Sequence, residues 1–329
     1  MADSVSRPQQ QGQPDSTTDR PGAIDARPVR HPWRWVAVAV ILVLLAMMVS
    51  SFLTNERWDL AFMVKVMNYK PVLNGLIMGT LLGTLGAMVI GVTLGVILAV
   101  MRLSSNPVLT FTAAAYTWFF RSIPRLVLLV MLGTGVGYLY PELTLGVPFG
   151  QQIAGALGLG TDLTLTQIDV NAFSSTLWAG VIGLGLSEAA YMAEIARAGI
   201  LSVDQGQREA AQALGMPAGK TMRRIVLPQA MRVIVPPTGN ETLAMVKDTS
   251  LLSAVPISAE LFYQTQVIGQ RTLQIMPTMM AAVCWYLVVC SILMVGQYYL
   301  ERHFGKGFGS APGKKDQTVK RLLATTGSH

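Results

Sequence analysis

Charged residues are scarce in this chain of 329 residues. They make up 13% of the sequence, whereas 51% of the residues are hydrophobic, and the mean hydropathy is +0.45. Soluble domains usually carry about 25% charged residues, so the composition excludes an ordinary soluble domain. The apolar residues gather in runs close to the ~20 residues that a helix needs to cross a bilayer, which predicts an integral membrane protein.

Cysteine and histidine are also rare, with two and three residues. Cys284 and Cys290 lie within one apolar run, where cysteine is typical of a small packing residue, and no second pair completes a metal site. The histidines lie in polar flanks, and neither His-Glu-x-x-His nor Gly-x-Ser-x-Gly occurs. The sequence therefore predicts no metal site, no catalytic residues and no enzyme activity, which disfavours a membrane-embedded hydrolase.

The net charge of +7 has a membrane explanation. Basic residues concentrate within residues 20–34, 208–232 and 302–321, and each of these segments adjoins an apolar run. This is the lysine and arginine bias of cytoplasmic segments in membrane proteins, rather than a surface for nucleic acid. The pattern predicts membrane lipids as partners and predicts no binding of nucleic acid.

Six apolar runs are predicted to cross the membrane, over about residues 33–53, 72–101, 108–138, 174–197, 235–262 and 276–300. Residues 1–32 are rich in Pro, Gln, Ser and Asp, so we expect a disordered tail, and residues 301–329 form a basic tail. The 33–53 run is interpreted as an extra helix, although Val49 and Ser51 also suit a signal-peptide cleavage site. Six spans place both tails on the cytoplasmic side.

The segments between the runs differ in character. Residues 54–70 and 139–173 are predicted to be loops on the outer, non-cytoplasmic side of the membrane. The second loop is predicted to contain a short helix near residues 150–158. Arg121-Ser122-Ile123-Pro124-Arg125 interrupts the third run. Because proline lacks a backbone N–H group, a kink is expected there.

A polar segment, residues 198–234, separates the fourth and fifth runs. Its start supplies capping residues for a short helix, and Glu209 in the first turn complements the helix dipole. Gly215-Met216-Pro217 ends that helix sharply. Physical chemistry alone leaves two interpretations open, a generic pair of interfacial helices or a helix that docks into a cleft of another protein.

The motifs of this segment resemble a known loop. Glu209-Ala210-Ala211, Gly215 and Ile225-x-Leu227-Pro228 have the spacing of the coupling loop in the polar amino acid family of ABC importer permeases. Phe120-Arg121-x-x-Pro124 and Tyr191-x-x-Glu194-x-x-Arg197 fit the same family. The resemblance implies an all-α integral membrane protein with about six transmembrane helices and a cytoplasmic coupling-helix loop.

The resemblance covers residues 72–300, which would form the permease domain, with residues 198–234 as the coupling loop. It implies a permease subunit of an ATP-driven importer for a polar amino acid in a bacterial inner membrane. The implied partners are two ATPase subunits, an extracytoplasmic solute-binding protein and a second permease, in a homodimer or a heterodimer. The residues implied to couple to the ATPase are Gln205, Gly206, Glu209, Ala210, Ala211, Gly215, Pro217, Leu227 and Pro228.

No cofactor is expected on this chain, because ATP and Mg²⁺ would be used by the partner ATPase. Gly215-x-x-x-Gly219-Lys220-Thr221 has some likeness to a phosphate-binding loop. It is one residue short, however, and it follows a predicted helix instead of a strand, so it is not expected to bind ATP.

Ionisable residues inside membrane spans usually face a cavity or a partner. One interpretation is a cavity that binds an amino acid zwitterion. The alternative is internal ion pairing, for example between Glu194 and Arg197, or between Lys247 and a neighbouring acid. The candidates for a substrate pathway are Arg121, Arg125, Glu188, Tyr191, Glu194 and Lys247.

Arg125 stands where relatives commonly have an apolar residue. A second positive charge beside Arg121 would favour an acidic substrate, although the side chain of Arg125 could instead reach lipid phosphates.

A self-sufficient secondary carrier is the main competing interpretation, because it would also have six spans and buried charges. Carriers of that class usually show inverted repeats with broken helices in both halves. No internal duplication is found in this sequence. Dependence on a separate ATPase would distinguish the two classes.

Overall fold

The computed structural model describes residues 32–55, 57–147, 149–158, 164–255 and 257–304. The predicted tails therefore lie almost entirely outside the described residues. The chain divides into two units, one up to Asn55 and one from residue 56 onward. The described part of the first unit is helix α1, Pro32–Leu53, whose 22 residues have a hydropathy of 2.8. It is long and apolar enough to cross a membrane.

The second unit is mostly helical. Segments with π-helical turns, Gly75–Leu81, Met131–Gly135 and Met222–Val226, continue some of its helices, and a 3-10 helix spans Thr249–Ala254. The α-helices are α2 (Leu60–Met67), α3 (Lys70–Asn74), α4 (Leu82–Arg102), α5 (Pro107–Ser122), α6 (Arg125–Val130), α7 (Val136–Leu139), α8 (Gly150–Leu157), α9 (Val170–Ser174), α10 (Leu177–Leu201), α11 (Gln205–Ala213), α12 (Ala218–Thr221), α13 (Leu227–Asp248), α14 (Leu261–Thr272) and α15 (Ile275–Phe304).

The prediction of about six spans is consistent with this arrangement. Within the described residues, α1, the stretch Lys70–Arg102 and α15 are each apolar enough to span a membrane, and α5 together with Arg125–Leu139 forms a fourth, bent candidate. Helices α10 and α13 correspond to the fourth and fifth predicted spans and have 25 and 22 residues. Both helices carry charged side chains, and these lower their hydropathy. A membrane helix normally turns such side chains toward the protein interior.

The predicted kink lies between α5 and α6, which meet at an angle of 101°. Ile123 and Pro124 have extended backbones with ψ of 130° and 133°. A proline disfavours the helical conformation of the residue before it, so α5 ends at Ser122 and the chain turns before α6 begins.

One prediction about the connections needs correction, and another gains detail. Residues 54–70 are not simply a loop, because Asp59 caps α2 by accepting a hydrogen bond of 2.8 Å from the Phe62 N–H, and Val66 is buried. The outside segment 139–173 contains the expected helix, α8, but also two antiparallel strands, β1 (Glu142–Gly146) and β2 (Thr164–Asp169). The predicted all-α fold class holds, with one small two-stranded sheet among the described residues.

The fifth predicted span, residues 235–262, is not one helix. Helix α13 begins earlier than predicted, at Leu227, and it is followed by the 3-10 helix and by α14. The stretch mixes apolar and polar residues throughout, so its composition does not mark where one helix ends and the next begins.

Helix α10 lies at the centre of the second unit and packs against α4, α5 and α13. Its contact with α4 is close. A Cβ atom added at Gly91 would lie 2.6 Å from Cγ of Glu188, and one added at Gly95 would lie 2.5 Å from Cβ of Met192. The glycines of α4 therefore act as the smooth packing stripe that their four-residue spacing indicates.

The break before α14 is held by a buried carboxylate. Glu260 is fully buried, and its Oε1 accepts hydrogen bonds from the hydroxyls of Thr80 (2.9 Å) and Tyr286 (2.6 Å). Its Oε2 accepts from the N–H groups of Phe262 (2.6 Å) and Tyr263 (3.2 Å), which caps α14. One side chain thus joins α14, α15 and the π-helical turn before α4, in an apolar setting that strengthens each bond.

We predict that Glu260→Ala destabilises the folded chain by about 3 kcal/mol, because several buried donors lose their acceptor. Thermal unfolding of the detergent-purified chain measures this change. Glu142→Ala removes an exposed carboxylate from β1 and should leave the unfolding midpoint unchanged. Equal midpoints for the Glu260 variant and the control would contradict the role of Glu260.

Candidate functional site

A polar cluster lies where α6, α10 and α13 meet. The guanidinium of Arg125 is surrounded by three carboxylates. Its Nη1 lies 2.5 Å from Oδ2 of Asp248, and its Nη2 lies 2.8 Å from Oε2 of Glu188 and 3.7 Å from Oε2 of Glu241. We call these four residues the charge cluster.

The fold explains how the charge cluster forms. Arg125 is the first residue of α6, so the break at Pro124 decides where its side chain points. Glu241 and Asp248 are seven residues apart on α13, which is about two helical turns, so they share a face. A cation at a helix N-terminus is unfavourable for the helix dipole, and the surrounding carboxylates offset that cost.

The charge cluster is shielded from solvent to different degrees. The side chain of Glu188 is 0% exposed, and those of Arg125, Glu241 and Asp248 are 13%, 26% and 31% exposed. When all four groups are ionised, three negative charges face one positive charge. The charge cluster therefore has an excess of negative charge.

Two buried polar atoms at the charge cluster have no hydrogen-bond partner among the described residues. They are Oε1 of Glu188 and the hydroxyl oxygen of the neighbouring Ser187. A buried acceptor without a donor is costly, and such atoms are rare in folded proteins.

An aromatic ring completes the site. The guanidinium carbons of Arg125 and Arg121 lie 4.8 Å and 5.5 Å from the centroid of the Tyr191 ring, within the range of cation–π contact. Tyr191 stands three residues after Glu188 on α10, so both side chains lie on one face of the helix. Four of the six predicted pathway residues thus come together here.

The other two predicted pathway residues lie elsewhere. Glu194 pairs with Arg197, whose Nη2 is 2.8 Å from its Oε2, and with Arg102 at 3.5 Å, as the ion-pair alternative anticipated. Lys247 is exposed and lines an apolar groove between α13 and α15. No ion pair to it is found in the described part of the chain.

Sequence reasoning missed Glu241 and Asp248. Asp248 stands next to Lys247 in the sequence. Which of these two side chains faces the interior of the helix bundle depends on the rotation of α13 about its axis. The signal that could have found them is their spacing of seven residues, with Glu241 placed one turn before Met245, which is fully buried.

The coupling segment folds as an exposed, well-capped helix, α11. Oδ1 of Asp204 accepts a hydrogen bond of 2.6 Å from the N–H of Gly206. At the other end Gly215 adopts a φ of +72°, and the N–H of Met216 reaches the Ala211 carbonyl at 3.0 Å, which is the geometry of a Schellman cap. Helix α11 is therefore short and is fixed at both ends.

The predicted coupling residues have two orientations. Glu209, which accepts a hydrogen bond of 2.9 Å from Gln205, is exposed. Ala211, by contrast, is 1% exposed and packs within this chain. The remaining predicted coupling residues are exposed, namely Gly206, Ala210, Gly215, Pro217, Leu227 and Pro228.

The stretch that has some likeness to a phosphate-binding loop is helical from Ala218 to Thr221. It therefore presents no strand-to-helix loop whose amides could surround a phosphate.

Comparison with known proteins places these features in context. The family described as binding-protein-dependent transport system inner membrane component matches residues 91–306. The arginine transport system permease protein of Corynebacterium glutamicum is 46% identical over 89% of this chain and 87% of that protein. The L-cystine transport system permease protein of Bacillus subtilis is 33% identical over 77% of this chain and 93% of that protein.

A solved structure agrees with these relatives. The crystal structure of an amino acid ABC transporter with histidines superposes with a TM-score of 0.59 at 30% identity. The match covers 75% of this chain and 99% of that chain.

We predict that Arg125→Met lowers the stability of the fold by about 3 kcal/mol, because it leaves several carboxylates close together without their cation. Combining it with Glu188→Leu should recover part of the loss, since the fully buried carboxylate is then removed as well. Thermal unfolding in detergent gives both values, with Lys247→Met as the control for an exposed cation. A single variant as stable as the control would contradict the pairing.

Proposed function

Because this chain belongs to the family of binding-protein-dependent transport system inner membrane components, we propose that it forms the translocation path for a basic amino acid. The chain is a multi-pass permease subunit of an amino acid ABC importer. It is not an enzyme, because ATP hydrolysis belongs to a separate subunit.

Helix α11 is the observation that carries the coupling role. It is a short polar helix, rigidly capped, that lies between the long helices α10 and α13 and exposes Glu209 and Ala210. An exposed carboxylate in such a helix suits a basic residue in a groove of the ATPase. The basic residues around α11 support a cytoplasmic location for this segment and for both chain termini.

The charge cluster supports a basic substrate. The sequence suggested an acidic ligand because Arg125 adds a positive charge, but Arg125 is already neutralised by Glu188, Glu241 and Asp248. The remaining negative charge favours a side-chain guanidinium or ammonium. The arginine transport system permease protein of Corynebacterium glutamicum is a relative whose name agrees with this choice.

The residues of the site suit the parts of a basic amino acid. The partly exposed carboxylates of Glu241 and Asp248 can pair with the substrate's side-chain cation, and the Tyr191 ring can lie against that cation. Arg121 is exposed beside the same ring and can meet the α-carboxylate.

The assembly that we propose contains two permease chains, two ATPase subunits and an extracytoplasmic solute-binding protein. Each permease half needs a coupling helix, and the described residues of this chain contain one such helix, α11. A second permease, either another copy of this chain or a related one, would supply the other. ATP and Mg²⁺ would be bound by the ATPase subunits, and no cofactor is proposed for this chain.

We predict that Glu209→Lys abolishes ATP-dependent uptake, because it reverses the exposed charge that meets the ATPase. The tagged chain is purified in mild detergent, the ATPase that accompanies it is quantified, and uptake is measured in proteoliposomes. Glu142→Lys, which makes the same charge change in β1, is the control and should behave as the wild type.

Normal uptake by the Glu209 variant would contradict the coupling role. Uptake by the chain alone, without ATPase or ATP, would instead support the self-sufficient carrier.

We predict that Glu241→Gln raises the KM for arginine uptake about tenfold, a change equivalent to ~1.4 kcal/mol, because it removes one negative charge from the site. Competition by lysine, glutamate and glutamine measures the specificity of the wild type, and lysine should compete best. Glu301→Gln, near the end of α15, is the control. A preference for glutamate in the wild type would contradict the proposal.

A further inference from the structure

Arg208, in the first half of α11, makes a contact with the preceding helix. Its Nη2 donates a hydrogen bond to the backbone carbonyl oxygen of Ile200. Ile200 lies in the last turn of α10, where carbonyl groups have no partner within their own helix. A cation at this end of a helix also complements the negative end of the helix dipole. Arg208 therefore closes α10 and attaches α11 to it.

The contact is surrounded by a small apolar core. Ile200 and Val203 are each 7% exposed and pack with Val226 and Ala230 from the chain that follows α12. Ala211, three residues after Arg208 and on the same face of α11, is 1% exposed. Helix α11 thus has one face anchored on this chain.

The opposite face of α11 is free. Glu209 and Ala210 are exposed, and they are the residues proposed to meet the ATPase. A force applied to this face reaches the rest of the chain through the anchored face, where Arg208 provides the hydrogen bond to α10.

Helix α10 connects that anchor with the charge cluster. Ile200 follows Glu188 by 12 residues, which is about 18 Å along a helix. The helix is unbroken from Leu177 to Leu201, and most of its residues between these two points are buried against neighbouring helices. A displacement at Ile200 must therefore move Glu188 and Tyr191 together with it.

We propose that Arg208 is a positioning residue that transmits the movement of α11 to α10 and hence to the charge cluster. The inference rests on the proposed docking of α11 to an ATPase. It adds a specific prediction, namely that loss of the Arg208 contact separates ATP hydrolysis from transport without preventing assembly.

The test compares the amount of arginine imported per ATP hydrolysed in proteoliposomes that contain the complete importer with its binding protein. In Arg208→Met we expect this ratio to fall about tenfold, the effect of losing one hydrogen bond from a charged donor, while the ATPase still co-purifies. Arg208→Lys, which keeps a cationic donor, should recover part of the ratio. Arg223→Met removes an exposed cation from the same cytoplasmic segment and should keep the wild-type ratio.

An unchanged ratio of arginine imported to ATP hydrolysed in Arg208→Met would overturn the proposal. A parallel fall of uptake and hydrolysis leaves this ratio unchanged and would therefore also overturn it. If Arg208→Met does not fold, Arg208→Lys and Arg208→Gln decide the matter. A lowered ratio in them supports the proposal, and wild-type ratios in both overturn it. Failure of the proposed function gives a different result, because the wild-type chain would then lack a co-purifying ATPase or would import without ATP.

Discussion

The partly buried charge cluster around Arg125 is the constraint on which the rest of the second unit depends. A guanidinium in an apolar helical body requires counter-charges, and α10 and α13 provide them through Glu188, Glu241 and Asp248. The break at Pro124 brings the arginine to this place, and Gly91 lets α4 pack directly on the stem of Glu188. The same charges are the basis of the proposed preference for a cationic substrate.

Helix α10 joins the two functional regions. Its middle carries Glu188 and Tyr191, and its end is closed by Arg208 from α11. Such a continuous, buried helix is well suited to carry a movement over a distance, because packed helices shift as rigid bodies rather than deform. Glu260 lies at the break between α13 and α14. Its hydrogen bonds fix this break to α15 through Tyr286 and to the π-helical turn before α4 through Thr80.

Much of this arrangement follows from the sequence. The apolar runs predict α1, α4 and α15, the proline predicts the bend, and the motif around Glu209 predicts α11. The fourth span also brings Glu188 and Tyr191 to one face, as their spacing indicates. The inward orientation of Asp248 could not be predicted, because it depends on where α13 begins. The mixed composition of residues 227–262 marks neither that start nor the break before α14.

The most direct test of the account is a structure of the purified chain with its ATPase and bound L-arginine, determined by electron cryo-microscopy. The account predicts that α11 lies in a groove of the ATPase through Glu209, with arginine between Glu241, Tyr191 and Arg121. A structure in which α11 makes no contact with the ATPase, or in which arginine is bound away from the charge cluster, would contradict it.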